Sequence, residues 1–278
     1  MTEARSQSVV VDGLHLHLLE WERRGTSADA PVVMVLHGFT GHAWQAELPA
    51  QVLADRSRVV ALDQRGHGDS DWAPVYGSVP MVADLIGVLD ALAIDRVALV
   101  GHSMGGLVGT CAVALHPERF THLVLGDIGP EPAPAGVARI QANVAERDVF
   151  TSVDDAFAAQ SALNPTANPI ALRQRVEHNL RALADGTLTW KYDPALRDGS
   201  ARYENYPTDE QWAFLAAIAV PLLILRGELS DILSPDIAAR MLAANPHASL
   251  VTLPGSGHSV ATDVPDLVAA ALVDFLGA

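Results

Sequence analysis

Three polar residues far apart along the chain could share one proton: Ser103, Asp231 and His258. A serine hydroxyl is a weak nucleophile until a base removes its proton, and a histidine does that best when a carboxylate fixes its tautomer and stabilises the imidazolium. The chemistry that follows is attack on a polarised carbonyl. Asp127 is a second carboxylate that could serve in place of Asp231.

Ser103 lies in Gly101-His102-Ser103-Met104-Gly105, directly after the apolar run Val97-Ala98-Leu99-Val100 and directly before a longer apolar stretch that reads as a helix to about His116. A serine at a sharp strand-to-helix turn brings its neighbours two residues away so close that a Cβ would clash, and glycine relieves this. The helix directs free amides and its positive end at the space above the hydroxyl. Glycines around Phe39 in His37-Gly38-Phe39-Thr40-Gly41 expose a second amide. The N–H groups of Phe39 and Met104 are therefore expected to form an oxyanion hole.

The elements that must position these groups alternate. A hairpin turns at Asp12-Gly13, and strands are expected at Pro31–Leu36, Val59–Leu62, Val97–Val100, Leu123–Gly126, Pro221–Leu225 and Ser249–Leu253, with helices near Val79–Leu92 and Pro265–Leu276. Such alternation predicts an α/β fold with a mostly parallel sheet and helices on both faces, and ligands in these sheets bind at the carboxyl ends of the strands. Ser103, Phe39, Asp127, Asp231 and His258 all follow predicted strands. From Gly129 the alternation stops at a proline-rich stretch, and residues 130–218 carry helical signals only, among them Ser152-x-x-Asp155, Asn168-Pro169 and Thr208-x-x-Gln211. We expect a core of residues 1–129 and 219–278 with 130–218 inserted as a helical cap. Trp190, Tyr192 and Trp212 are its candidate substrate-lining aromatics, and Arg139, Arg147, Arg173 and Arg175 its candidate carboxylate binders. The loop Asp63–Ser70 is polar but reads as a hydrogen-bonded turn and is given no chemistry.

Composition bounds the partners. With 278 residues, 49% of them hydrophobic, the chain can bury a substantial core, and its formal charge of −15 disfavours nucleic acid and anionic membranes. The longest apolar run, Ala213–Leu225, is about 13 residues and contains Pro221, short of the roughly 20 that cross a bilayer. Met1–Ser8 is polar and lacks the apolar segment of a secretory signal, and the single cysteine, Cys111, fits a reducing compartment, so a cytoplasmic location is expected. Neither Gly-x-Gly-x-x-Gly nor Gly-x-x-x-x-Gly-Lys occurs at the glycine-rich turn, which argues against nucleotide phosphates. His15 and His17 share a strand face without a nearby third ligand, so no metal is expected, and the serine chemistry needs no cofactor.

His37-Gly38-Phe39, Gly101-x-Ser103-x-Gly105, Asp231 four residues before Pro235, and Gly257-His258 resemble the motifs of the α/β-hydrolase superfamily over almost the whole chain. The resemblance implies an eight-stranded sheet, an inserted cap, and the triad Ser103, Asp231 and His258. Gly227 to Asp231 is one residue longer than the commonest family spacing from glycine to acid, and Asp127 stands where some members carry the acid instead. The stretch Gly126–Glu131 is similar to that of acetamidomethylene-succinate hydrolases. The implied activity is hydrolysis of a small carboxylic ester or lactone. Amide or carbon–carbon bond hydrolysis by the same residues is the alternative, and a non-catalytic ligand receptor on this fold is an alternative of another class.

Overall fold

The computed structural model describes residues 2–22 and 30–277. Eight strands form the main sheet: β1 (Arg5–Val11), β2 (Leu14–Trp21), β3 (Val32–Leu36), β4 (Arg58–Leu62), β5 (Val97–His102), β6 (Phe120–Gly126), β7 (Leu222–Gly227) and β8 (Ala248–Leu253). Their order is β1-β2-β4-β3-β5-β6-β7-β8, parallel from β4 onward, with β1 and β2 antiparallel at one edge. The hairpin between those two turns at Asp12 (φ 48°) and Gly13 (φ 82°), the two positive φ values that a tight turn matching strand twist requires.

The uninterrupted apolar runs are explained by burial on both sheet faces, with alternate side chains serving opposite cores. In β5, Val97 and Leu99 join one buried cluster and Ala98 the other; Leu222 and Ile224 of β7 divide from Leu223 and Leu225 in the same way. The first face is covered by helices Ser78–Ala91, Met104–Leu115 and Pro235–Ala244, which bury Leu85, Val108, Cys111 and Met241. The second is covered by Glu47–Leu53 and Pro265–Leu276, through Ala50, Leu53, Val268 and Leu272.

Between β6 and β7 the chain forms helices Pro134–Ala145, Val153–Leu163, Pro169–His178, Ala195–Asp198 and Thr208–Ala217. Ser152 accepts from the Asp155 amide and Asn168 from the Ile170 and Ala171 amides, the caps expected from the sequence. Thr208 makes no such cap; it is the first helical residue, and Gln211 instead donates to the Tyr206 carbonyl. The stretch is also not purely helical. Val149–Phe150, Leu188–Trp190 and Leu180–Ala182 pair as a small antiparallel sheet, with Gly186 at φ 86° in the turn between the last two. Strands of two or three residues are too short to show a period of two, so only the turn glycine marked them.

Candidate active site

Ser103 is the first residue past β5 and precedes helix Met104–Leu115, with φ 50° and ψ −118°. This is a strained backbone for a residue with a Cβ, held here by dense surroundings. A Cβ on Gly101 would lie 2.4 Å from the Gly105 carbonyl oxygen, and one on Gly105 would lie 2.5 Å from the Leu36 carbonyl oxygen. The glycines thus let the turn close on itself and on β3. The Ser103 amide donates to Gly126 O at 2.9 Å, tying the turn to β6.

His258, in the loop after β8, brings Nε2 to 3.0 Å from Ser103 Oγ, and its Nδ1–H donates to Asp127 Oδ2 at 2.8 Å. Asp127 follows β6 with φ 51° and is fully buried. Its carboxylate also accepts from the Gly227 amide at 2.8 Å and from the Ser230 hydroxyl. Three donors satisfy a carboxylate removed from water.

Asp231, expected on His258, is not its hydrogen-bond partner. Arg139 holds it in a bidentate pair, Nε at 2.5 Å and Nη2 at 2.8 Å, on a partly exposed surface. The guanidinium keeps that carboxyl below the usual carboxylate range. The spacing explains the difference. One residue fewer after Gly227 falls on Ser230, whose hydroxyl bonds Asp127, and the carboxylate at the histidine comes from the end of the neighbouring strand β6 instead.

The Phe39 loop is fixed from two sides. A Cβ on Gly38 would meet His102 Nδ1 at 2.7 Å and Ser103 Cβ at 3.1 Å, so only glycine allows the loop this close to the serine. His37 accepts from the Gln64 amide at 3.0 Å through Nε2, donates through Nδ1 to Gly38 O at 2.8 Å, and its own carbonyl accepts from Gln64 Nε2 at 2.7 Å. Burial pushes the His37 imidazole down to about 3, so the neutral ring that this pattern needs is the stable one. His102, likewise lowered to about 3 by burial, donates from Nε2 to the His258 carbonyl at 2.8 Å and steadies that loop. Met104 heads its helix, where the first amides have no partner within the helix.

Two recesses meet at Ser103. One, of about 100 Å³, is polar and is lined by Asn143, Gln160, Asn164, Arg175, Asn179 and Tyr192. The other, of about 900 Å³, is mostly apolar, with Leu107, Ile128, Val137, Leu196 and Tyr206 on its walls. Phe39 and Ile140 border both. Trp190 and Tyr192 line the polar recess. Trp212 lines neither: the Arg240 guanidinium lies 4.4 Å from its ring, against helix Pro235–Ala244.

The family model for the α/beta hydrolase fold matches residues 31–263. The chain is an α/β hydrolase. It is 30% identical over 276 residues to a 3-hydroxybutyrate-oligomer hydrolase of Cupriavidus necator, covering 95% of this chain and 94% of that one. It is 28% identical to esterase YbfF of Escherichia coli, covering 89% and 93% respectively. The crystal structure of E-2-(acetamidomethylene)succinate hydrolase superposes with a TM-score of 0.88 at 26% identity, covering 99% of this chain and 100% of that one. The protein is therefore an enzyme of the hydrolase type.

Two residues of this α/β hydrolase carry more than their sequence context announced. Ser230 gave no signal beyond the odd loop length, yet it holds Asp127 and also accepts from the Ile232 and Leu233 amides at 3.1 Å. The Asp63–Ser70 loop, for its part, braces the core. Asp63 accepts from the Ala43 amide at 2.5 Å, the Asp69 amide at 2.9 Å and His17 Nδ1 at 2.8 Å. His17, Asp63 and Asp69 lie close enough to share an ion, but these atoms already serve one another, and Asp69 pairs with Lys191. His15 is exposed while His17 is buried, because the Asp63–Ser70 loop covers only the latter.

Proposed function

We propose that this hydrolase cleaves carboxylic esters, lactones among them, through an acyl-enzyme on Ser103. The reading rests on the His258 imidazole lying between Ser103 Oγ at 3.0 Å and Asp127 Oδ2 at 2.8 Å. In the first step Nε2 takes the hydroxyl proton as Oγ bonds to the carbonyl carbon, and the oxygen that gains charge is met by the Phe39 and Met104 amides. His258 then gives that proton to the leaving alkoxide. Water enters, loses a proton to the same nitrogen, and releases the acid, restoring the serine. Asp127 keeps Nδ1–H pointing at itself and fixes the imidazole orientation through both steps. Residues 130–218 act as a cap, excluding water and supplying the pocket walls.

The relatives favour an oxygen ester as the bond cleaved, since two of them are named an oligomer hydrolase and an esterase. The test is covalent labelling with a serine-directed fluorophosphonate together with turnover of a panel of 4-nitrophenyl esters. Label is expected on Ser103, and Ser103→Ala should lower kcat by on the order of 10⁴-fold or more. A protein that takes no label on Ser103 and turns over no ester would overturn the acyl-enzyme reading.

A further inference from the structure

The polar recess beside Ser103 holds an arginine that forms no ion pair with any described residue. Arg175 projects from helix Pro169–His178 and shares that recess with Ser103 and His258. The other arginines of residues 130–218 are occupied: Arg139 with Asp231, Arg147 with Asp155, Arg173 with Asp154 and Glu177, Arg197 with Asp148, Arg202 with Glu204, and Arg181 over the Trp72 ring. Among the described residues Arg175 alone of this set has neither an ion pair nor a ring contact. The acid that acts on it electrostatically, Asp263, lies beyond ion-pair distance and accepts instead from the Gly257 amide at 2.7 Å and the Ser256 hydroxyl at 3.3 Å.

Besides Ser103 and His258, the recess carries the amides of Gln45, Asn143, Gln160, Asn164 and Asn179, the hydroxyls of Thr40, Tyr192 and Ser259, the His102 ring, and Arg139, whose charge is already paired with Asp231. Arg175 is partly exposed to the recess, and even partial withdrawal of a guanidinium from water without a counter-ion is costly; burial lowers its pKa accordingly. The overall charge of −15 would repel an anion, so a local cation is needed to admit one. A planar fork of N–H donors fits a carboxylate in bidentate fashion, and neutral amides around it can take the remaining lone pairs without competing charge.

We propose that Arg175 binds a carboxylate carried on one short limb of the substrate, while the opposite limb occupies the apolar recess. This rests on the reading of Ser103 as the nucleophile. The substrate class is then an ester with a free acid a few carbons from the scissile carbonyl or from its alcohol oxygen. The size of the polar recess limits that limb to a short chain, and the wide apolar recess sets no such limit on the other.

Binding can be measured without turnover on the Ser103→Ala protein. Two pairs of ligands separate the limbs: monomethyl glutarate against methyl pentanoate places the acid on the acyl side, and 3-acetoxypropanoate against propyl acetate places it on the alcohol side. In at least one pair the charged member should bind about tenfold more tightly or better, and adding Arg175→Met should abolish the difference. Arg175→Lys, which keeps the charge and loses the fork, should retain part of it. Equal affinities within both pairs would overturn the proposal, as would a preference that survives Arg175→Met. If Arg175→Met fails to fold, the Lys variant decides, because an undiminished preference in it argues against bidentate recognition. Charged-ligand preference in the Ser103→Ala protein, with no hydrolysis of 4-nitrophenyl hemiglutarate by the unaltered enzyme, would leave the Arg175 assignment standing and remove the ester reading instead.

Discussion

At the scale of single residues, the site turns on which carboxylate meets His258. Asp127 is fully buried and holds Nδ1 at 2.8 Å, whereas Asp231 is spent on Arg139. Asp127→Asn should therefore lower kcat by about 10⁴-fold, the cost of presenting the wrong tautomer, while Asp231→Asn should change it by less than about threefold. Steady-state kinetics on both variants check this, and the reverse ranking would return the role to Asp231. Ser103, His258 and both aspartates could be picked out in the sequence as candidates, because each follows a strand in a pattern with a steric or chemical reason. The choice between the acids was not. It depends on whether a loop side chain one residue out of step can reach the imidazole, and that is decided in three dimensions by Ser230 and Arg139.

At the scale of elements, buried strands and capped helices were readable, since two-sided burial and Ser, Asn or Pro at helix starts leave local marks. The stretch between β6 and β7 was read less well. Its short strands carry no period, and an aromatic residue in a helical pattern does not say which way the helix faces. Trp212 and Tyr192 illustrate the point: the first stacks with Arg240 on helix Pro235–Ala244, while the second lines the recess at Ser103, where its hydroxyl makes no hydrogen bond to a described residue. Tyr192→Phe should accordingly shift kcat/KM severalfold across an ester panel, chiefly for polar acyl groups, and Trp212→Phe should leave the ranking of those esters intact. Identical profiles for the two variants would contradict this placement.

At the scale of the molecule, the buried histidines couple stability to pH. Burial holds His37 and His102 at about 3 and His42 at about 4, and it lowers His67 as well. In the unfolded chain these rings take up protons near pH 6.5, while the folded chain does not, so the unfolded state binds more protons below that pH and stability falls as acid is added. Asp63 postpones its own loss: burial works to raise its pKa, but the hydrogen bond from His17 and the neighbouring rings pull it down to about 2. A folded pKa below the ordinary one keeps its contribution intact until the pH drops under about 4. The midpoint of urea unfolding should therefore decline between pH 7 and pH 4.5, and a flat profile over that range would show that the histidines take up protons in the folded protein just as they do in the unfolded one.

The lone thiol makes the chain a reporter on its own opening. Cys111 is fully enclosed within helix Met104–Leu115, and burial pushes its pKa up to about 12, so in the native state it is neither reachable nor ionised. An alkylating reagent gains access only when that helix leaves the sheet, and the same event dismantles the turn that carries Ser103. Rates of alkylation thus time the loss of the nucleophile directly, with no introduced label and no second cysteine to blur the signal.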